Sequence, residues 1–336
     1  MLHGWCDAFV TKTHLEYPTD IGLLFDAIRK IIILSARLHD EYGLSEWRQY
    51  QFNIKQIKRS LRQTQLKKRH QRSADERLKQ QRIGDAHRDY LHQVGRQLKR
   101  ARTTLQQLNV KHTLNTSQRI QSLKIEQYMQ HADRQIDQIE RRVLNDEVIP
   151  HSEKVFSLFQ PHTEWIVKGK AGVPMELGVR VGIVEDQYQF ILHHQVMEKQ
   201  TDDEVAVHLI EQTQRRFADL KTCSFDKGFH SPSNQVELAK RLDVVALPSK
   251  GRPAKKVRER EQSAEFRQAH SKHAAVESAI NALQVHGLDG CPDHGIEGFN
   301  RYVSLAILAR NLQRLGEVLI QRKRKRQARL ECRRAA

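Results

Sequence analysis

Apolar residues divide the chain into a helical middle and a mixed remainder. No proline lies between residues 47 and 145, and the apolar positions there recur at alternating spacings of three and four. The two clearest series are Leu91, Val94, Leu98, Ala101, Leu105, Leu108 and Met129, Ala132, Ile136, Ile139, Val143. This is the a/d pattern of helices that pack along a seam. A turn is predicted at 111–117, which is rich in Thr, Asn and Ser. We therefore expect an antiparallel helical hairpin over 47–149.

The pattern changes after residue 150. Alternating, β-branched segments predict two strands at 176–184 and 187–196, with a turn at Glu185-Asp186 between them. Further strands are predicted at 7–15, 221–225 and 244–247, helices from 201 and at 232–242, 264–283 and 299–322, and a polar, basic loop at 249–260. Strands that alternate with helices predict an α/β fold, with the basic helical segment inserted after the first strand.

Charge is concentrated in two parts of the chain. The 336 residues contain 57 Lys and Arg against 40 Asp and Glu, a net charge of +17. Residues 47–142 hold 23 basic and 8 acidic residues, and residues 322–336 hold 8 and 1. Such an excess favours a polyanionic partner, nucleic acid first and an anionic membrane surface second, and the basic middle segment favours contact with the DNA backbone. A merely solvated face, or a coiled-coil scaffold or RNA-binding protein built on the hairpin, are the other interpretations.

Other features narrow the class of protein. No apolar run approaches the ~18 residues that a membrane span needs, and residues 1–10 lack the pattern of a signal peptide. The four cysteines are far apart, which is typical of reduced thiols in the cytoplasm. The spacing of His286, Cys291 and His294 is looser than in zinc sites, so a structured loop is favoured there.

Three acidic residues lie at positions in predicted strands and helices that are suited to binding a catalytic metal ion. Asp7 lies in a strand-like segment, Asp226 follows a short apolar strand, and Glu277 lies in a predicted helix of small apolar residues. A carboxylate on an apolar helix face is costly unless it is paired or metal-bound. Acids at a strand end and on a facing helix can converge on divalent ions, although a strand-terminal Asp also serves as a turn or N-cap residue. Glu176 and Asp202 are further acidic candidates, with turn and helix-start roles favoured.

These acids lie in motifs that resemble those of bacterial insertion-sequence transposases of the DDE type. The matching segments are Asp7-Ala8-Phe9-Val10-Thr11, Tyr17-Pro18-Thr19-Asp20, Asp226-Lys227-Gly228-Phe229, His273 to Asn281, and 286–295. The resemblance spans nearly the whole chain. It implies an RNase H-like mixed sheet flanked by helices, with Asp7, Asp226 and Glu277 as the catalytic triad and as ligands of Mg²⁺ (or Mn²⁺). It also implies cleavage at transposon ends, strand transfer into target DNA, a homodimer and a place in the bacterial cytoplasm at the nucleoid.

The family pattern also indicates which residues would contact DNA. Such transposases usually carry Thr or Ser after the first acid, where this chain has Ala8, and Tyr, Arg and Lys around the third, where it has His270, His273 and Gln284. The expected DNA-binding residues are His270, His273, Lys227, Lys250, Arg252, Lys255 and Lys256. For the basic loop that contains the last four, a solvated surface is the equal alternative.

Four segments are expected from these patterns. They are the start of the catalytic domain (1–46), the basic hairpin (47–149), the main part of the catalytic domain (150–321) and a basic tail (322–336). Because Met1 lies only six residues before Asp7, no N-terminal DNA-binding region fits before the first acid. A truncated, non-catalytic DNA-binding remnant of a transposase is therefore the alternative function.

Overall fold

A computed structural model describes residues 1–15, 17–42, 47–69, 76–111, 113–167, 175–251 and 254–335, with side chains at all of these except 68, 69, 111, 256 and 333–335. The chain forms two units. The helical unit comprises residues 16–158, and the sheet unit comprises residues 1–15 and 159–336. Within the described residues, no helix has the length and apolar character needed to cross a membrane.

The helical unit is built from long amphipathic helices. They are α1 (Asp20–Asp40), α2 (Tyr50–Arg69), α3 (Glu76–Lys111) and α4 (Thr116–Ile139). Thr19 caps α1 by accepting a hydrogen bond from the Gly22 amide, and Asn115 forms a capping box with Gln118 at the start of α4. One core joins all four helices, and the predicted seam of α3 is buried in it.

The helical unit differs from the expected two-helix hairpin. Residues 47–149 contain three long helices, and α1, which the sequence grouped with the first strand, shares their core. Ile28, Ile31 and Ile32 of α1 are fully buried beside residues of α3 and α4. The boundaries therefore fall at Leu15 and Phe159, rather than after 46 and 149. The physical reason is that α1 has an apolar face as wide as a bundle helix needs, which the pattern of residues 47–142 alone does not reveal.

The sheet unit contains a seven-stranded mixed sheet in the described residues. Its strands are β1 (Leu2–Thr13), β2 (Glu164–Val167), β3 (Met175–Asp186), β4 (Ile191–Met197), β5 (Leu220–Phe225), β6 (Val244–Ala246) and β7 (Gly290–Cys291). β3 runs antiparallel to β1, β2 and β4. β5 and β7 pair with the other edge of β1 in parallel, and β6 continues the parallel part beyond β5.

Helices cover both faces of this sheet. They are α5 (Asp202–Arg216), α6 (Pro232–Ala239), α7 (Lys255–Glu261), α8 (Ala264–Ser271), α9 (Ala274–Leu283) and α10 (Gly295–Ala335). Cys6 and Phe225 pack with Leu209 of α5 on one face. Trp5 and Phe9 pack with Val276 of α9 on the other, in a core that also contains residues of α10. The predicted α/β class is thus confirmed.

Three local predictions are wrong. β3 extends through Asp186, because that carboxylate accepts hydrogen bonds from the Tyr188 and Phe190 amides and so closes the turn later. The predicted loop at 249–260 contains most of α7, a short charged helix without an apolar period. The predicted helix at 264–283 is two helices, interrupted at Lys272-His273, where His273 is hydrogen-bonded to Ser224.

We expect Ile28→Ala to destabilise the helical unit by about 2–5 kcal/mol, because the side chain is fully buried and leaves a cavity. Hydrogen exchange measured by mass spectrometry should show faster exchange in α2, α3 and α4. Ile183→Ala, at an equally buried position in β3, is the matched control and should accelerate exchange in the sheet. Unchanged exchange in α4 of the Ile28→Ala protein would contradict the assignment of α1 to the helical core.

Candidate active site

The first two acids lie at the same level of adjacent parallel strands. Cys6 of β1 is the register partner of Phe225 of β5. Asp7 directly follows Cys6 along the chain, and Asp226 directly follows Phe225. The Asp226 amide donates to the Cys6 carbonyl at 3.3 Å. This pairing fixes the backbones of the two acids next to each other.

Asp7 lies on the sheet face that α9 covers. Trp5 and Phe9, two positions before and after it, are buried in the core with Val276 of α9, and side chains two residues apart on a strand share a face. Glu277 follows Val276 directly, so the buried Val276 anchors the helix turn that carries Glu277.

Asp226 and Glu277 border an open cleft of about 510 Å³. Its other lining residues are Lys227, Pro248, His270, Ser271, His273 and Ala274. Glu277 is exposed, so the expectation that an apolar environment would strain this carboxylate is wrong. The apolar residues of α9 face the sheet, and Glu277 lies on the other side of the helix at the cleft.

A fourth acid approaches the first two. Asp202, the first residue of α5, and Asp226 lie on either side of Gly228: a Cβ atom at position 228 would be 2.6 Å from Asp202 Oδ2 and 3.3 Å from Asp226 Oδ2. A side chain at position 228 would therefore have to displace the Asp202 carboxylate. Asp202 Oδ1 is shielded from solvent and has no hydrogen-bond partner in the described part of the chain.

The electrostatics of Asp7 reflect this crowding. Burial first, and then the negative charges of Asp226, Asp202 and Glu277, raise the pKa of Asp7 to about 7, against the hydrogen bond that the Ala8 amide donates at 2.7 Å. The pKa of Asp202 is also raised, by burial first and then by the charge of Asp226. The four carboxylates therefore repel one another across a partly dry site.

The carboxylates do not converge fully. Among the described residues, no group of three or more His, Cys, Asp or Glu side chains is close enough to hold a metal ion. The chemistry of the donors nevertheless suits a hard divalent cation, because all four are carboxylates and one buried oxygen of Asp202 lacks a partner. Binding would require side-chain movements that bring Asp226 and Glu277 toward Asp7.

Two imidazoles form a wall of the cleft. The rings of His270 and His273 stack at 5.4 Å between centroids, and Phe266 stacks on the far side of His270 at 5.9 Å. His273 Nδ1 lies 2.9 Å from Ser224 Oγ of β5. Burial and then the neighbouring His270 lower the pKa of His273, against the charges of Asp226 and Glu277, which favours the neutral ring.

The other predicted DNA contacts are scattered. Lys227 lines the cleft, Lys250 lies 3.6 Å from Asp203 in an ion pair, and Lys255 is exposed at the start of α7. Arg252 lies outside the described residues, as does the side chain of Lys256. Of the predicted set, the structure therefore brings Lys227, His270 and His273 to the cleft of the acids.

Ser224 is not among the site residues predicted from the sequence, and Asp202 is predicted mainly as a helix-start residue. Ser224 alternates with the buried Cys223 and Phe225, a pattern that places it on the opposite face, toward α9. Asp202 does start α5, as expected, and it also approaches Asp226.

At the candidate zinc segment, His294 Nδ1 lies 2.9 Å from Gln160 Nε2 and Cys291 is buried in β7, as in a structured loop.

Comparison of the chain with models of known protein families, with curated proteins and with solved structures gives no match.

The crowding of Asp7 predicts a pH-dependent stability. Because the folded-state pKa is raised from 3.8 to about 7, the native state binds a proton that the unfolded state releases. Stability should therefore fall as the pH rises from about 4 to about 7 and should remain low above that. Asp7→Asn should remove the contribution of Asp7 to this dependence and stabilise the metal-free protein at pH 8 by about 2–4 kcal/mol, whereas the part due to Glu185, whose pKa burial also raises to about 7, should remain.

Urea unfolding in EDTA at pH 5 and pH 8 measures this effect. Asp243→Asn, a change of an exposed carboxylate in the same unit, is the control and should leave the pH dependence intact. A lower stability of Asp7→Asn than of the wild type at pH 8 would contradict the raised pKa of Asp7.

Proposed function

We propose that this protein is the catalytic part of a DDE-type DNA transposase, which cleaves phosphodiester bonds at transposon ends and joins the freed ends to target DNA. The observation that carries the proposal is that the fold brings three acids from distant parts of the sequence to one region of one sheet face, although their side chains do not close on a single point. Asp7 and Asp226 follow paired residues on adjacent strands, and Glu277 projects from the helix that packs on the same face. Resemblance in sequence alone does not require this proximity.

The sheet supports an RNase H-like assignment. The strand that carries the first acid is central, the second acid ends the neighbouring parallel strand, and the helical unit is inserted between β1 and the rest of the sheet. This is the arrangement that the resemblance implies, with the insertion after the first strand.

The carboxylates have a defined role in this proposal. Asp7, Asp226 and Glu277 would hold Mg²⁺ or Mn²⁺, with Asp202 as a further acid beside Asp226. When bound, the ions would activate a water or a 3′-hydroxyl as nucleophile and stabilise the leaving oxygen. Without a cation the same carboxylates repel one another and the phosphate backbone, so they also act to keep the site from binding DNA productively until it is loaded.

The wall of the cleft would position the DNA strand. Lys227 offers a positive charge to a phosphate next to Asp226. His273 is oriented by Ser224, and with its pKa lowered it would donate a hydrogen bond as a neutral ring. His270 is stacked between Phe266 and His273, so it would present its ring edge to a terminal base as a hydrogen-bond donor.

The helical unit would supply most of the affinity for DNA. Exposed basic residues follow one another along α2, among them Lys55, Lys58, Arg59 and Arg62. Basic side chains that replace the counterions of DNA give a strong but sequence-independent affinity. This surface would hold long DNA while the sheet unit performs the reaction.

A non-catalytic DNA-binding protein is the second candidate. One observation favours it: the described carboxylates do not form a closed ligand group. In that case the basic helices would still bind DNA, but no metal would produce cleavage.

Asp226→Asn and Glu277→Gln should each reduce metal-dependent nicking by about 10³-fold or more, because residues that act as one unit lose most of the activity when one is removed. The substrate is a supercoiled plasmid that carries the reading frame with its flanking DNA, assayed with Mg²⁺ and Mn²⁺. Glu265→Gln, an exposed change on α8, is the control and should retain activity. Equal nicking by wild type and both variants would exclude these acids from catalysis, and no nicking by any protein would favour the second candidate.

Replacing Lys55, Lys58, Arg59 and Arg62 by Gln should weaken DNA binding and make it less sensitive to salt. Each phosphate contact contributes about 0.9 to the slope of log K against log salt concentration, so the slope should fall by about 3 to 4. Fluorescence anisotropy from 50 to 300 mM NaCl measures it. Gln63→Ala with Gln65→Ala, exposed on the same helix, is the matched control. An unchanged slope in the four-residue variant would remove α2 from the DNA-binding surface.

A further inference from the structure

Helix α10 carries a stripe of exposed leucines. Leu305, Leu308, Leu312, Leu315 and Leu319, the leucine stripe, are each between 44% and 58% exposed. Their spacings of three, four, three and four are those of a coiled-coil seam. Scattered exposed leucines need no explanation, but five in heptad register form one continuous apolar face.

The sheet unit uses a different side of the same helix. Val303 and Ile307 are buried in the core, and Asn311 exchanges two hydrogen bonds of 2.9 Å with the backbone of Ile191. At about 100° per residue, the centre of the leucine stripe lies roughly 120° around the helix from these contacts. The stripe is therefore not an extension of the core of the sheet unit.

Gly316 adds an independent observation. A glycine in a helix interior lowers helix stability, and its lack of a side chain allows another group to approach the helix backbone closely. No atom of the described chain lies within 4 Å of the position that a Cβ would occupy at Gly316. Gly316 and Ala309, seven residues apart, both lie at the edge of the leucine stripe, so this edge is smooth enough for a second helix to approach closely.

We propose that the leucine stripe pairs with the leucine stripe of a second copy of this chain, with the two α10 helices antiparallel. This inference does not rest on the proposed catalytic function. The seam is self-complementary, as a twofold dimer requires. Five half-exposed leucines from each copy would bury about 1,000 Å² in total, which is the size at which specific interfaces begin and which predicts a dimer that dissociates on dilution.

Charge decides the direction of pairing. Residues 322–326 are five consecutive Lys and Arg. In a parallel pair, two such segments would lie side by side. In an antiparallel pair centred on Leu312 they lie about 36 Å apart, which exceeds the Debye length of about 8 Å at physiological salt. The same pairing brings Glu297, in the first turn of α10, level with Gln327 of the other copy, directly after its basic residues 322–326.

Sedimentation velocity of the full chain between 1 and 100 μM tests the pairing. The wild type should shift from monomer to dimer over this range. Leu312→Glu should raise the dissociation constant of the dimer at least about tenfold. Gly316→Leu should have a similar effect, and because the space around position 316 is open in the single chain, this variant should keep its fold. Leu66→Gln, at a residue 53% exposed in the helical unit, is the control and should dimerise like the wild type. A wild type that stays monomeric at 100 μM would overturn the proposal, as would a dimer that neither stripe variant weakens.

The native cysteines test the direction. Cys332 is exposed, whereas Cys6, Cys223 and Cys291 are buried. In the antiparallel pair the two Cys332 residues would be about 60 Å apart, so a short bismaleimide should not join them. In a Cys332→Ser background, Leu312→Cys places a thiol at the centre of the seam and should give crosslinked dimer. Efficient crosslinking through Cys332 would overturn the antiparallel arrangement.

Discussion

Strand β1 is hydrogen-bonded along both edges, and the rest of the sheet unit is placed relative to it. β3 occupies one edge over nine consecutive register pairs, from Gly4 with Asp186 to Lys12 with Gly178. β5 and β7 share the other edge. Gly178 permits this packing, since a Cβ there would lie 2.2 Å from the Thr11 carbonyl oxygen. No other residue type could occupy that position without separating the strands.

The same pairing gathers the acids. Once Cys6 is in register with Phe225, Asp7 and Asp226 must be neighbours, and the helix that covers this face must bring whatever follows Val276 near them. Gly228 then allows Asp202 to join. A fold selected only for stability would not collect like charges around a half-buried carboxylate, because each raises the cost of ionising the others. Such local conflicts with stability are typical of functional sites.

Much of this fold follows from local patterns. The alternation of 176–184 predicts β3, and Thr201 with Glu204 marks the start of α5 through a capping box. Other features depend on partners that a linear pattern does not name. The apolar period of α1 predicts a helix but not the core that receives it. α7 is too short and too charged to have a period, and the break at His273 depends on Ser224, 49 residues away.

The sequence indicates which residues belong to the candidate site better than it indicates how those residues are arranged. The order of Asp7, Asp226 and Glu277 along the chain, with the residues around them, indicated the acids. Their environments depend on which side of an element faces the core. Glu277 lies in the most apolar segment of its region, yet the apolar residues of α9 turn toward the sheet and leave Glu277 at the cleft. Composition within a segment therefore predicts that a helix is buried on one side, and only the packing shows which side carries the acid.

Two of the heptad seams, one in α3 and one in α10, show what periodicity can and cannot establish. Leu91, Val94 and Leu98 of α3 are buried in the helical core of their own unit, whereas Leu308, Leu312 and Leu315 of α10 have the same spacing and remain exposed. Covering the apolar surface of either seam lowers the free energy of the protein. The spacing of the apolar residues alone does not show whether the covering helix belongs to the same chain or to another one. Exposure makes this distinction, since the leucines of α10 remain uncovered in the described chain, and the charges that follow the α10 seam bear on the direction of pairing. A basic segment directly after the leucine stripe disfavours a parallel copy and is compatible with an antiparallel one. The apolar positions thus define the need for a partner, and the charged positions define its direction.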